Sequence, residues 1–267
     1  MMGLDLRKTK TRKITLGTKE WADSNVNCYF GCSNNCRYCY AKKMAIRFNK
    51  KTEDSWKVMV PNIKNIKKGY RKRNGRIMFP TSHDITDENL INCLIVLKKL
   101  ISSGNEILVT TKPKPKCIKK ICENFLKNKE LIQFRFTITS KDNNLLKFWE
   151  PGASSFEERY ESVKFAFHQG FKTSISIEPF LDKDPFDLVE ILMPYTTESI
   201  WIGKMNYISK KNFKTHELRY YKFIRKLNDK KNLITIIEKA KKYDSSFLRI
   251  KDSIFNALSF QDLTKIK

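Results

Sequence analysis

The feature that most limits the fold of this chain is a tight group of three cysteines near its start. Cys32, Cys36 and Cys39 form a C-x3-C-x2-C array. Spacings of three and two residues let one loop turn three thiolates toward a common point, as soft sulfur ligands do when they hold an iron–sulfur cluster. Three cysteines leave one iron of a four-iron cluster open to a substrate or cofactor. The sequence therefore predicts a metal site at these three cysteines.

Cys28 leaves a second interpretation open. It precedes Cys32 by four residues and, as a fourth ligand, would complete a closed cluster or a zinc site. Zinc sites usually pair their cysteines as two separated C-x2-C knuckles, and this sequence has no second knuckle. Cys93, Cys117 and Cys122 fall in predicted helices. Seven cysteines, an odd number, fit a reducing compartment and a cluster better than a set of disulfides.

Apolar strands alternate with amphipathic helices along most of the chain. This rhythm is typical of parallel βα units and predicts an α/β barrel, closed or open. The predicted strands are 21–30, 76–80, 106–112, 131–140, 172–180 and 199–206. The predicted helices are 41–48, 62–70, 87–101, 116–127, 154–169 and 186–193.

The length of 267 residues fits one barrel domain with a small extension. Residues 1–20 are predicted to be a basic N-terminal arm, 21–206 the barrel, and 207–267 a helical C-terminal extension packed on it. Within this extension, 246–254 is predicted as a short strand or a turn. No run approaches the ~18 apolar residues of a membrane span, and the start lacks the apolar stretch of a secretory signal. We therefore expect a cytoplasmic monomer with no membrane partner.

The net charge of +25 has two explanations. It would attract a polyanion such as DNA or RNA through its phosphates. However, lysine outnumbers arginine 41 to 12, as expected if lysines simply solvate the helices, whereas a phosphate-binding surface more often concentrates arginine. The densest basic runs are 64–73, 112–120 and 222–242. Both explanations stay open.

The residues around the array, Gly31-Cys32 and Tyr38-Cys39-Tyr40-Ala41, resemble the radical S-adenosylmethionine (SAM) superfamily. The resemblance implies that Cys32, Cys36 and Cys39 hold a [4Fe-4S] cluster whose open iron takes the amino and carboxylate groups of SAM. Reductive cleavage then gives methionine and a 5′-deoxyadenosyl radical, which abstracts hydrogen from the substrate. The resemblance also implies a partial (β/α)6 TIM-like barrel, and an electron donor of the flavodoxin or ferredoxin type.

Polar residues follow the predicted strands, at the edge where the chemistry of such barrels gathers. On the resemblance, we expect them to bind SAM. The expected cofactor-binding residues are Tyr38, Ser82, Asp84, Lys112, Thr139, Ser140, Ser176, Glu178 and Gly203. No catalytic residue is assigned, although His83 and Glu178 are candidates.

We call the polar residues that follow a strand its exit. The second strand exit is Thr81-Ser82-His83-Asp84, and it takes the place of the Gly-Gly-Glu-like segment that binds the SAM amino group in this superfamily. Its glycines are absent here, so Ser82, Asp84 or a backbone carbonyl would bind that group. Ser82 and Asp84 equally suit a cap for the helix predicted from residue 87. His83 suits a proton carrier or a structural hydrogen bond.

At the later exits, Lys112 would pair with the SAM carboxylate, and Thr139 and Ser140 would bind ribose hydroxyls. Ser176 and Glu178 would contact ribose or substrate, unless Pro179 ends the strand and leaves Glu178 at the rim. Gly203 permits a close backbone approach, which suits adenine.

Arg159 has two interpretations. It would reach the cofactor carboxylate, or it would pair with a neighbouring acid of its own helix, Glu157 or Glu158.

Beyond the cysteine loop, residues 148–161, 170–171, 177–180 and 111–112 are similar to the spore photoproduct lyase-like group, and the similarity covers about residues 25–206. The lyase itself carries a hydrogen-donor cysteine near the second strand exit, where this chain has Phe79-Pro80-Thr81-Ser82-His83. We therefore predict a radical SAM enzyme, a lyase or modifying transferase, that abstracts hydrogen from an unidentified substrate, with a nucleic acid favoured. The alternatives are a modifier of a small molecule or peptide, and a non-catalytic iron–sulfur or zinc protein that binds nucleic acid.

Overall fold

The computed structural model describes residues 17–209 and 213–264 of the chain. The predicted N-terminal arm, 1–20, lies mostly outside the described residues, as do residues 210–212 of the predicted extension.

A seven-stranded parallel sheet organises the fold, with the strand order β1-β4-β5-β6-β7-β8-β9. Its strands are β1 (Ser24–Asn25), β4 (Ile77–Phe79), β5 (Ile107–Thr111), β6 (Ile132–Thr137), β7 (Lys172–Ile177), β8 (Ile200–Ile202) and β9 (Leu248–Ile250). A separate antiparallel pair is formed by β2 (Tyr29–Phe30) and β3 (Val60–Pro61). β1 and β9 are the two edges of the large sheet.

Helices follow the strands of the sheet, as the alternating pattern predicts. They are α1 (Tyr40–Arg47), α2 (Ile63–Lys67), α3 (Leu90–Ser102), α4 (Pro115–Phe125), α5 (Asn143–Trp149), α6 (Phe156–His168), α7 (Phe186–Leu192), α8 (Leu218–Leu227), α9 (Lys230–Ala240), α10 (Asp252–Phe255) and α11 (Phe260–Leu263). The central strands are buried, and β5 opens with a continuous apolar run, 107–109, whereas β6 alternates apolar residues with Gln133 and Arg135, which both donate to Ser174 of β7. Ser155 caps α6 in a reciprocal capping box with Glu158, which confirms the predicted helix start.

The prediction of an α/β partial barrel is confirmed, and all six predicted strands are present in their predicted order. The sheet has a seventh strand, β9, which lies within 246–254, the part of the C-terminal extension predicted as a short strand or a turn. Ile200 of β8 pairs in register with Leu248 of β9. Three residues are too few to show a strand period, so the sequence left strand and turn open here. The helix α5 was not predicted.

The first predicted strand, 21–30, is divided in the structure. Only Ser24–Asn25 pairs with β4, and Tyr29–Phe30 pairs with β3 instead. Between them the Asn27 carboxamide accepts hydrogen bonds from the backbone N–H groups of Thr81 and Ser82, at 2.7 and 2.9 Å. This side chain takes the place of a continued ladder and turns the chain toward the cysteine loop.

The segment 17–22 joins the two edges of the sheet. The Lys251 ammonium, just after β9, lies 3.0 Å from Glu20 Oε1, donates to the Gly17 carbonyl at 3.3 Å, and lies 4.0 Å from the centre of the Trp21 ring. On the other side, Asp23 N donates to the carbonyl of Arg76, just before β4. The open side of the barrel is therefore closed by this segment rather than by strand pairing.

Within residues 17–209 and 213–264, no helix combines the length and apolar character that crossing a membrane requires.

Candidate active site

The cysteine loop begins at Gly31, whose φ of +90° lies in the region that favours glycine. A Cβ at this position would lie 2.5 Å from the Val58 carbonyl oxygen and 2.6 Å from that of Trp56. The next residue, Cys32, donates its backbone N–H to the same Trp56 oxygen at 3.0 Å. Glycine is required here because the loop lies directly on the backbone of 56–58.

The three cysteines of the array lie together at the carboxyl edge of the sheet, with the Cys32 and Cys36 side chains buried and Cys39 partly buried. Two sulfurs accept backbone hydrogen bonds at 3.4 Å, Cys32 Sγ from Asp84 N and Cys39 Sγ from Lys42 N. Burial raises the pKa of all three thiols, that of Cys32 to about 12. The protein alone therefore holds them as thiols, and a soft cation would replace their protons.

These residues fit the implied four-iron cluster. Three thiols supplied by one short loop are the soft donor set that such a cluster takes. Backbone N–H groups directed at the sulfurs are also typical of cluster ligands.

Cys28 faces away from this site. Its Sγ lies 3.6 Å from Cys93 Sγ and 3.8 Å from His83 Nε2, and its backbone N–H donates to the same ring nitrogen at 3.3 Å. The hydrogen bond from Cys93 and the contact with His83 outweigh burial and lower the pKa of the Cys28 thiol to about 6. This position leaves Cys28 in a separate buried cluster rather than in the array.

The segment Phe148–Gly152 holds the cysteine loop from the other side. Arg37, between the second and third cysteines, donates its backbone N–H to the Trp149 carbonyl at 2.9 Å and its Nε to the Phe148 carbonyl at 2.7 Å. Gly152 N donates to the Asn34 carbonyl at 3.1 Å, and a Cβ on Gly152 would lie 2.3 Å from the Ser33 oxygen. The segment that carries the lyase-like resemblance therefore fixes the loop's position.

Glu150, within that segment, is the centre of a buried hydrogen-bond network. Its carboxylate accepts from Thr139 Oγ1 at 2.7 Å and from the Tyr38 hydroxyl, and lies 2.5 Å from Arg159 Nη2. Both ends of the Arg159–Glu150 pair are fully buried. Burial alone would raise the pKa of Glu150, but Arg159 and Lys112 outweigh it and hold the pKa below its usual value.

The prediction that Arg159 pairs with Glu157 or Glu158 is wrong. Its Nε donates to the Ser154 carbonyl at 3.0 Å, which turns the guanidinium inward toward Glu150. The sequence does not predict Glu150 as a site residue, because Glu-Pro-Gly is a typical turn sequence. The available signal was a carboxylate between Trp149 and Pro151, where burial requires a partner.

Asp84 and Lys112 form a second buried charged pair beside the cysteines. Asp84 accepts from Lys112 N at 2.7 Å and from Asn34 Nδ2 at 2.9 Å, and the Lys112 ammonium lies 3.7 Å from its carboxylate. Burial disfavours both charges, but the attraction between Asp84 and Lys112 is the largest of the effects that favour them. The pKa of Asp84 therefore lies below its ordinary value, and the pKa of Lys112 lies well above its own. Cys36 and Tyr38 also lie close enough to favour the Lys112 charge.

The second strand exit does not cap the following helix. α3 begins at Leu90 with Asn89 as its N-cap residue, so the alternative role for Ser82 and Asp84 is wrong. Ser82 instead lines a surface pocket beside β1. His83 is buried, with Nε2 accepting from Cys28 N and Nδ1 lying 3.1 Å from the Asp84 carbonyl. Both ring nitrogens are therefore engaged in structural contacts.

The residues predicted at the fourth and fifth exits are buried and mostly committed to other protein groups. Ser140 donates its hydroxyl to Asp182, and Thr139 donates to Glu150. Ser176 lies buried within β7, opposite Thr137 and Trp201 of the neighbouring strands. Asp182 was not predicted as a site residue, because its contact with Ser140 spans 42 positions of sequence.

Glu178 and Gly203 lie side by side at the far end of the barrel edge. A Cβ on Gly203 would lie 2.7 Å from Glu178 Cδ, so the glycine makes room for this carboxylate. Glu178 Oε2 lies 3.7 Å from Lys251 Nζ. Burial outweighs the attraction of Lys251 and raises the pKa of Glu178.

This chain is similar in sequence to known proteins. The family model "Radical SAM superfamily" matches residues 26–192. An uncharacterized protein of Methanocaldococcus jannaschii is 27% identical over 194 residues, which cover 70% of this chain and 71% of that protein.

Two solved structures align with this chain. Streptococcus suis SuiB bound to the precursor peptide SuiA has a TM-score of 0.51 and 12% identity, with 91% of this chain and 54% of SuiB covered. Spore photoproduct lyase complexed with dinucleoside spore photoproduct has a TM-score of 0.44 and 17% identity, with 73% and 58% covered. The chain thus spans little more than half the length of these two proteins. Because the family model matches well over half of the residues, this chain belongs to the radical SAM superfamily.

Proposed function

We propose that this chain is a radical SAM enzyme that removes a hydrogen atom from its substrate, with Cys32, Cys36 and Cys39 as the ligands of a [4Fe-4S] cluster. When bound, the cluster supplies one electron to SAM, whose cleavage gives methionine and a 5′-deoxyadenosyl radical. The single observation that carries the proposal is the loop itself. Three thiols, two buried and one partly buried, are presented at the carboxyl edge of a parallel sheet and held there on both sides by backbone contacts.

Asp84 and Lys112 are the groups we assign to the amino acid end of SAM. The SAM ammonium needs an acceptor and its carboxylate needs a cation, and this buried pair offers one of each beside the cysteines. Charges held at fixed positions away from water interact more strongly than charges in solvent. These residues would orient SAM and exclude water without changing their own protonation.

We assign the remaining predicted contacts to the ribose and adenine of SAM. Tyr38 packs between Glu150 and Lys112, and its ring centre lies 5.7 Å from the Lys112 ammonium. Ser176 stays in the proposal as a ribose contact, whereas Thr139 and Ser140 donate to Glu150 and Asp182 and would support the site through these two carboxylates. Gly203 stays in the proposal as an adenine contact through its backbone, because the Glu178 side chain fills the space beside its Cα.

The reaction also requires partners. A flavodoxin or ferredoxin type of electron donor is proposed from the superfamily, and a DNA or RNA substrate from the lyase-like residues and the charge of +25. The chain is proposed to act in the cytoplasm as a monomer, with 21–206 as the catalytic barrel and 207–267 as an extension packed on it.

Anaerobic reconstitution with iron and sulfide, followed by reduction in the presence of SAM, tests the proposal. We expect about four irons per chain and formation of 5′-deoxyadenosine. Replacing Cys32, Cys36 or Cys39 by Ala should abolish both. Cys28→Ala is the matched control and should retain both, because Cys28 faces Cys93 and His83. A single zinc ion lost on Cys28→Ala, with no labile sulfide, would overturn the proposal in favour of a non-catalytic zinc protein.

A further inference from the structure

A strongly basic surface lies beside the cysteine loop and has no role in the SAM site. Residues 62–76 contain seven lysines and arginines and no aspartate or glutamate. Two of the chain's twelve arginines, Arg71 and Arg73, lie on this surface, whereas Arg76 donates to Gln133 at 2.6 Å and is turned away from it. Arginine is the side chain best suited to binding phosphate.

Ion pairs distinguish this run from the other two basic runs. Lys112, Lys116 and Lys120 each pair with a carboxylate, and in the run 222–242 so do Lys230 and Lys239. Among the ion pairs of the described residues, none involves a lysine or arginine of 64–73. Most side chains of this run are exposed. Their charge is therefore available to a partner.

Two adjoining depressions give this surface a shape, which we call the basic groove. The outer one, of about 770 Å³, is lined by residues 68–71 and Arg73. The inner one, of about 240 Å³, shares Lys68 and Arg73 with it and extends to Ser82 at the end of β4. Ser82 is two residues before Asp84, whose backbone N–H donates to Cys32 Sγ. The groove therefore leads from the basic surface to the strand exit beside the cysteines.

The inner depression differs from the outer one in chemistry. It is lined by Asn62 and Asn65 and by the aromatic residues Tyr29 and Phe30. Asn62 Oδ1 accepts from Asn65 N and Asn65 Nδ2 donates to the Asn27 carbonyl, so a base would meet Asn62 Nδ2 and Asn65 Oδ1. The Phe30 side chain is 48% exposed, although it is a large apolar residue. Amides that can hydrogen-bond a base edge, next to a ring on which a base can stack, are the usual elements of single-strand recognition.

We propose that the basic groove binds a single strand of nucleic acid, with phosphates along Lys68, Arg71 and Arg73 and one unpaired base in the inner depression. A volume of about 240 Å³ lies below the ~300–1,000 Å³ typical of drug-sized ligands, so it admits one base at a time. A base within a duplex would have to leave its stack to enter. The inference deepens the proposed function, because it gives that site a substrate class and a route of approach.

Fluorescence anisotropy of the reconstituted full chain with labelled 12-nucleotide strands tests the inference, without reductant. We expect DNA or RNA strands to bind, and the logarithm of the affinity to fall linearly with the logarithm of the salt concentration. Lys68→Gln/Arg71→Gln/Arg73→Gln should weaken binding at least tenfold and reduce that slope by about 2, since three phosphate contacts contribute ~0.7 each for single strands.

The control removes three exposed positive charges elsewhere, in Lys98→Gln/Lys119→Gln/Lys127→Gln, and should change affinity less than twofold. Arg73 Nη1 also donates to Ser24 Oγ at 3.2 Å, so Lys68→Gln/Arg71→Gln serves as a second variant that spares this contact. It should still lower the slope by more than 1. Phe30→Ala should weaken binding about 5- to 150-fold, the range for one stacked base.

Three results would overturn the inference. Equal weakening by the groove and control variants would mean that binding follows net charge alone. Duplex bound as tightly as single strands would exclude a single-strand groove. Binding of a polyglutamate peptide with the same affinity would indicate an acidic protein partner. Each is measured without SAM cleavage, so failure here leaves the test by 5′-deoxyadenosine formation independent.

Discussion

The buried pair of Arg159 and Glu150 gives the sharpest test of how the cysteine loop is held. In Arg159→Met a side chain of similar length replaces the guanidinium, so the change is mainly one of charge and hydrogen bonding. The Glu150 carboxylate, which lies 2.5 Å from Arg159 Nη2, keeps its contacts with Tyr38 and Thr139 but loses its fully buried cation. The Ser154 carbonyl also loses its donor.

The expected loss of stability follows from that burial. Removing one partner of a buried ion pair leaves an uncompensated charge and costs about 3–5 kcal/mol. Typical domains have only about 5–15 kcal/mol in total, so Arg159→Met should fold but unfold at a much lower denaturant concentration. Glu150→Gln/Arg159→Met removes both charges, and we expect it to be less destabilised than the sum of the two single changes.

Guanidinium unfolding of the protein without its cluster measures this difference. Lys120→Met is the matched control, because Lys120 pairs with Glu123 at 3.0 Å with both side chains about half exposed. Such a pair is worth at most about 1 kcal/mol. If Arg159→Met costs no more than Lys120→Met, the buried network does not hold the loop and the reasoning is refuted.

Three further predictions concern neighbouring groups. Gly152→Ala should lower iron content after reconstitution, since its Cβ would lie 2.3 Å from the Ser33 oxygen, whereas Gly69→Ala, with no atom within 4 Å of its Cβ, should not; equal iron content in both would contradict this. Thiolate absorbance of the protein lacking its cluster should titrate near pH 6 and lose this step in Cys28→Ala. Because folding lowers that pKa from 9.0 to about 6, the associated stability should be complete above pH 9 and be lost as the pH falls from 9 through 6; a thiolate step near pH 9 would exclude it. Lys112→Met should weaken SAM binding at least tenfold in equilibrium dialysis, because the buried cation of the Asp84 pair is lost; unchanged affinity would remove Lys112 from the site.

The fold was largely predictable because the central strands are buried on both faces. The apolar run 107–109 and the alternation of apolar and polar residues in 132–137 each mark a strand without any knowledge of its neighbours. β9 has only three residues, of which Arg249 is exposed, and its strand state depends on pairing with β8. The helix α5 was predictable in principle, since Asp142 caps it by accepting from Asn144 N at 2.7 Å.

The candidate site was predictable only where its residues are close together in the sequence. The array of Cys32, Cys36 and Cys39 is such a case. The partners of Glu150, by contrast, come from three separate parts of the chain, and Tyr38 lies 112 residues away from it. Spacing cannot indicate contacts of this kind. Likewise Cys28, only four positions before Cys32, belongs to a different cluster because the chain turns at Asn27.

The closure of the barrel by the segment 17–22 has a consequence for the order in which the protein assembles. Lys251 reaches back to Gly17 across 234 positions of sequence, and closing a loop of that size costs roughly 5 kcal/mol of chain entropy. During synthesis, the contact between Lys251 and segment 17–22 can form only after β9 has left the ribosome. The cysteine loop is synthesised much earlier, so iron and sulfide can reach it before the barrel is closed.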